Sequence, residues 1–146
     1  MVKLLFVLMN EYRLWALPQA LAALERRYPG AVEGRVYSVR EINADAGLER
    51  ALLADGAAAD MAFLASHGSI QNLYCFSRLW EALEGRPVYF TSTMGDELAE
   101  LLPRLGLEPA LYAALDSYYQ AGSPGDLEGL VLCALNGRFG GDYPLS

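Results

Sequence analysis

Four short stretches of strand length, each dominated by apolar residues, recur along the chain with helix-period segments between them, and this alternation constrains the fold more than any other feature. Val2-Lys3-Leu4-Leu5-Phe6-Val7-Leu8-Met9 is almost continuously apolar, and so is Met61-Ala62-Phe63-Leu64-Ala65-Ser66. Such runs belong to strands covered on both faces, the condition of a parallel sheet wrapped by helices. Val32 to Val39 has mixed polarity and reads as a strand nearer an edge. Arg86 to Thr93 is the fourth strand, with Pro87 among its first residues, where a missing ladder donor does least harm.

The intervening segments carry helical spacing. Leu14, Leu17, Leu21, Leu24 and Tyr28 mark the first helix, with Pro18 placed in its opening turn and Pro29-Gly30 closing it. Asn43 to Gly47 reads as loop, followed by a short helix from about Leu48 to Ala54. Leu73, Phe76, Trp80 and Leu83 mark the next helix, and Leu98, Leu101, Leu102 and Leu105 another, which Pro103 should kink or end. From Leu107 onward there is no strand signal: Ala110 to Tyr119 is helical, and Ser123-Pro124-Gly125-Asp126 spells a capped helix start. That helix should bury Leu127, Leu130, Val131, Ala134 and Leu135, with Gly137 as its left-handed stop.

Right-handed crossovers then favour a three-layer, doubly wound α/β fold: four parallel strands in the flavodoxin-like order 2-1-3-4, with a helical C-terminal third. Residues 1–139 read as a single domain and 140–146 as the start of a linker or C-terminal tail. The switch point of that order lies between the first and third strands, so the segments Asn10 to Leu14 and His67 to Asn72 should be neighbours. The sole histidine, His67, stands at this strand end with Gly68 behind it, either facing a ligand or serving as a turn residue satisfied by a backbone carbonyl. Asn10, Glu11, Ser69, Asn72 and Tyr74 are the other ligand-facing candidates.

Several chemistries find no support. The segment after the first strand, Asn10-Glu11-Tyr12-Arg13, is bulky, and no glycine-rich fingerprint offers bare backbone N–H groups to a phosphate. Ser66 and Ser69 flank His67, but adjacent strand residues point to opposite faces, and no nucleophile elbow is present. One histidine and two distant cysteines, Cys75 and Cys133, give none of the close spacings of zinc sites, so no catalytic and no metal-binding residues are assigned. Those cysteines suit buried reduced thiols and a cytoplasmic setting. Acids outnumber bases 18 to 11 without a basic cluster, which argues against nucleic acid and anionic membranes as partners. The run from Val2 to Met9 is too short to span a bilayer and is followed by Asn10-Glu11-Tyr12-Arg13 in place of a cleavage site, so it reads as a buried strand and not as a signal peptide. Nine tyrosines, with Tyr112, Tyr118 and Tyr119 close together, suit flat hydrophobic ligands, protein interfaces or half-buried positions at the base of the sheet.

Three stretches together carry a family resemblance: Met61 to Gly68 running into Leu73, Phe76 and Leu79; Pro87 to Leu105; and Tyr119-Gln120-Ala121-Gly122-Ser123-Pro124-Gly125-Asp126-Leu127 with Arg138-Phe139-Gly140-Gly141-Asp142-Tyr143. In this order they resemble the N-terminal region of the large subunit of cobaltochelatase and of the related H subunit of magnesium chelatase. The departures fall at Ser69, Ile70, Gln71 and Ser123, which stand where the family has glycine or charged residues. Family chains are many times longer, so the resemblance implies one domain of an ATP-dependent metal chelatase. In such a parent a tetrapyrrole is held while a divalent metal is inserted, and ATP is hydrolysed by partner subunits. The domain alone would bind no cofactor and would be inactive, helping to enclose the tetrapyrrole or packing against the remaining domains and the ATPase subunits. The readings that compete with it are a stand-alone protein-interaction module and a flavodoxin-like cofactor binder.

Overall fold

The computed structural model describes residues 1–145. Strands β1 (Val2–Leu8), β2 (Val32–Ser38), β3 (Met61–Ser66) and β4 (Val88–Ser92) form one sheet in the order β2-β1-β3-β4, with every pairing parallel. Helices α1 (Glu11–Arg27), α6 (Pro109–Ala121) and α7 (Pro124–Arg138) cover one face, and α2 (Val39–Ala44), α3 (Ala46–Ala58), α4 (Phe76–Ala82) and α5 (Gly95–Leu101) the other. This is the three-layer arrangement expected from the sequence.

The two faces follow from the period of a strand, in which successive side chains alternate sides. Leu4, Phe6 and Leu8 of β1 join Met61, Phe63, Ala65 and Tyr89 under α1, α6 and α7. Leu5 and Val7 join Ala62, Leu64, Val88 and Phe90 under the other layer. Phe6 stacks on Phe63 at 4.6 Å between ring centroids, and Phe63 in turn meets Tyr89 at 6.1 Å. Helix α7 packs against both α1 and α6. It buries the residues expected of it and also Leu132 and Cys133, so over residues 130–135 it is apolar on every side, as a segment enclosed by its neighbours must be.

Among the described residues no fifth strand follows β4, whose outer edge is dressed by the chain itself. The Val88 N–H donates to the Leu105 carbonyl at 2.9 Å, and the Tyr112 hydroxyl donates to the Phe90 carbonyl at 2.8 Å. These contacts occupy ladder groups that an exposed edge would offer to another chain.

Several local expectations are corrected. Helix α1 begins at Glu11, because Asn10 is its N-cap and accepts the Arg13 N–H at 3.0 Å. Pro18 therefore lies well inside the helix with its ring exposed, leaving the Leu14 carbonyl without its helical donor. Asn43 to Gly47, expected as loop, holds the end of α2 and the start of α3, and the helix expected over Leu48 to Ala54 is the middle of α3: Ser38 caps α2, and the Asp45 carboxylate caps α3 by accepting from the N–H groups of Gly47 and Leu48. Cys75 precedes α4 at its N-cap position; both cysteines are buried and unpaired, and burial raises both thiol pKa values. Pro103 does end its helix, which gives way to a 3-10 turn over Leu102–Arg104.

Gly137 does not stop α7. The helix runs through it to Arg138, and the positive φ falls at Gly140. Gly137 instead admits a neighbour: a Cβ there would stand 2.6 Å from Leu111 Cδ1 of α6. The capping box at Ser123 and Asp126 forms as read, with each backbone N–H meeting the other residue's side-chain oxygen at 3.1 Å. After α7 the chain turns back: the Asn136 amide holds both the N–H and the carbonyl of Tyr143 at 2.8 Å, and the Tyr143 ring packs on Tyr28. No helix among the described residues is long and apolar enough to cross a membrane.

Candidate functional site

At the carboxyl end of the sheet, β1 hands over to α1 on one side of the switch point and β3 enters the His67 turn on the other. The turn is shaped by Gly68 at φ +80°, a conformation that an L side chain strains to adopt. Ser66, the one buried polar residue at the end of β3, donates its hydroxyl to the Gly68 carbonyl, and the Gly68 N–H donates to Thr93 Oγ1 at 2.7 Å. The Glu97 carboxylate of α5 clamps the two residues after Gly68, accepting the Ile70 N–H at 2.7 Å and the Ser69 hydroxyl at 2.8 Å. Ser92 Oγ lies 3.1 Å from Glu97 and 3.2 Å from the Gly68 carbonyl, with a single proton to give to one of them. The turn is thus fixed to β4 and α5 by side chains that sequence spacing did not single out.

The His67 backbone N–H meets Met9 Sδ at 3.3 Å. Its imidazole is exposed. The ring borders a cleft of about 280 Å³ lined by Asn10, Arg13, Thr91, Thr93 and Gln120 together with the Tyr119 ring. Arg13 reaches across it: Nε donates to the Tyr119 carbonyl and Nη2 to the Gln120 carbonyl, both at 2.9 Å, while the guanidinium lies 4.5 Å from the Tyr119 ring centroid. A cation at these last carbonyls of α6 complements the negative end of the helix dipole.

Behind the cleft wall, the fully buried Tyr89 donates its hydroxyl to Asp116 at 2.6 Å, and the Gln120 amide approaches Asp116 at 3.3 Å and Thr91 at 3.4 Å. Burial first, and then the hydrogen bond to Asp116, push the Tyr89 hydroxyl far above the ordinary tyrosine range. Burial likewise pushes Tyr112 and Tyr119 up to about 12, the Arg13 cation opposing it at Tyr119. These rings form a layer between β4 and α6, with Tyr89 at 5.4 Å from Tyr112 and 5.6 Å from Tyr119.

The six candidates named from the sequence fall into separate places. Asn10 and His67 share the cleft. Ser69 is bound to Glu97 outside it. Glu11 borders a hollow of about 590 Å³ toward β2, with Arg40 and Leu14. Asn72 and Tyr74 line a shallower hollow on the α2 side, where Asn43 donates to the Asn72 carbonyl at 2.6 Å and accepts the Tyr74 N–H at 3.1 Å. Arg13, Thr91, Thr93 and Gln120 were not named as site residues, although each lies in a stretch the sequence had marked: Arg13 in Asn10 to Leu14, Thr91 and Thr93 in the fourth strand, and Gln120 in the segment from Tyr119 to Leu127. Exposed aromatic rings crowd the same end: Tyr12 at 50% and Trp15 at 59% exposure, paired at 5.6 Å on α1, and Tyr74 at 78%. Among the described residues no group of three or more His, Cys, Asp or Glu side chains is placed to hold a metal ion.

No protein-family model matches this chain, and no curated protein matches its sequence. Among solved structures, the catalytic subunit of cobaltochelatase from Mycobacterium tuberculosis superposes with a TM-score of 0.67 at 14% sequence identity. The match covers 99% of this chain and 11% of that one. At this identity the likeness establishes a shared fold.

Proposed function

We propose that this chain serves as a non-catalytic α/β domain of a cobaltochelatase-type large subunit, its carboxyl-end rim helping to enclose a tetrapyrrole or packing against the other domains of such a subunit. The observation that carries the reading is the superposition of essentially the whole chain on about a tenth of a cobaltochelatase catalytic subunit, without a strand left over. The rim supports it chemically. Exposed Tyr12, Trp15 and Tyr74 provide apolar area with a polar edge, the kind of surface that covers a flat ring or a neighbouring domain. The nearby hydroxyls of Ser66, Ser69 and Ser92 are engaged in holding the turn, and none is paired with His67 as a nucleophile is with its base.

Titration of a metal-free porphyrin or corrin, followed by absorbance, tests the enclosure role. Saturable binding that weakens in His67→Ala is the expected result. Flat curves for both proteins remove the ligand role and leave packing, which is tested by mixing the chain with the remainder of a large subunit supplied separately. Failure to associate there as well overturns the reading.

A further inference from the structure

The cleft beside His67 has a charge character at odds with the rest of the molecule. The chain carries a formal charge of −7, yet the cleft is lined by Arg13, His67, Asn10, Thr91, Thr93 and Gln120 and by no carboxylate. Two carboxylates that touch its lining residues are already engaged, Asp116 by the Tyr89 hydroxyl and the Gln120 amide and Glu97 by the Ile70 N–H and the Ser69 hydroxyl.

Arg13 is held as a receptor group is held. Two of the five N–H groups of its guanidinium are fixed by the Tyr119 and Gln120 carbonyls, and its Cζ lies over the Tyr119 ring at 4.5 Å from the centroid. Nη1 has no hydrogen-bond partner among the described residues. The backbone makes room for the guanidinium: a Cβ on Gly122 would stand 2.8 Å from Nη2. A planar cation immobilised before its ligand arrives loses little rotamer freedom on binding, and its remaining N–H groups match the two oxygens of a carboxylate. At about 280 Å³ the cleft lies just under the range of about 300–1,000 Å³ that encloses a drug-sized ligand, so it suits an acidic arm and not a macrocycle.

We propose that this cleft is a carboxylate-binding subsite, in which Arg13 pairs with the anion and His67 and Thr93 supply further donors, while Thr91 and Gln120 form its wall. The carboxylate comes either from a peripheral acid side chain of a tetrapyrrole, in which case the proposal rests on the functional reading above, or from a free small carboxylic acid. Neither source requires a bond to be made or broken.

Isothermal titration of the intact chain with succinate, with inorganic phosphate, with a porphyrin bearing free carboxylates and with its methyl ester separates these. Gln120→Glu places an acid in the cleft and His67→Ala removes a donor; both positions are exposed, and thermal melts confirm that the variants fold. Succinate should bind more tightly than phosphate, and Gln120→Glu should weaken it by about tenfold or more, the scale of one charge-assisted contact. The free-acid porphyrin should bind about tenfold more tightly than the ester by the same reasoning. Equal binding of acid and ester, unaffected by Gln120→Glu and with no response to succinate, overturns the subsite and leaves the domain-level reading standing. Succinate binding that Gln120→Glu abolishes, with no response to either porphyrin, supports the subsite with a free acid as its ligand and counts against tetrapyrrole enclosure. Tighter binding of phosphate than of succinate, or flat curves for all four ligands, overturns the proposal.

Discussion

Arg13 shows how a single side chain ties the end of the sheet to the C-terminal helices. Its two carbonyl partners lie 106 and 107 residues away, so the sequence placed its segment at the switch point but gave no sign of what the side chain holds, whereas the strand-end position of His67 was legible at once. The tyrosines make the complementary case. Their number was visible, but which of them are sealed between β4 and α6 depends on packing. Tyr89 is raised far above the ordinary tyrosine value, and Tyr112 and Tyr119 to about 12, chiefly by burial. Native pKa values above the unfolded value of about 10 mean that the unfolded chain releases these protons first. The stability tied to their protonated forms is therefore complete below pH 10 and is lost as pH rises from there toward 12 and beyond. Tyrosinate absorbance and far-ultraviolet circular dichroism, followed together through an alkaline titration, should show these rings ionising with the loss of helix; early ionisation of all the rings with the helix intact would contradict the burial argument.

Among the elements, the strands were the most legible because continuous apolar runs such as Leu4 to Leu8 and Met61 to Ala65 have few alternatives once helices flank them. Helix α2 was not, and α3 was read short over Leu48 to Ala54, since Asn43 to Gly47 reads as a loop until Asp45 is recognised as a cap between two helices. Gly137 was misread for a related reason: glycine near a helix end suggests a stop, but here its service is to the α6–α7 contact. At Gly129 a Cβ would stand 2.4 Å from Tyr118 Cε1 and 2.6 Å from Cδ1, against a rigid ring. At Gly137 the obstacle is the flexible end of Leu111. Replacing glycine with alanine in a helix gains up to about 1 kcal/mol, while overpacking costs about 1–3 kcal/mol. Gly129→Ala should therefore destabilise by about 1–2 kcal/mol, and Gly137→Ala should lie within about 0.5 kcal/mol of the parent because the leucine gives way. Urea melts of both variants decide this, and equal effects at the two positions would show that ring rigidity is not the cause.

For the molecule as a whole, a sheet of four strands is finished at β4 by a tyrosine and a turn carbonyl in place of another strand. Tyr112→Phe keeps the ring and removes the donor to the Phe90 carbonyl, which should cost about 1 kcal/mol and leave the edge open to pairing with other copies. Light scattering on the variant across a concentration series should register greater self-association than the parent shows; unchanged scattering would mean that the edge is guarded by packing alone. The placement of α7 against α1 has a consequence for biosynthesis. Helix α7 follows α1 and α6 in the chain and packs against both, so their shared face of the sheet is not fully sealed until the ribosome has added the residues up to Arg138. A nascent chain halted before that point would present greasy β-structure to its surroundings, a natural client for a holding chaperone.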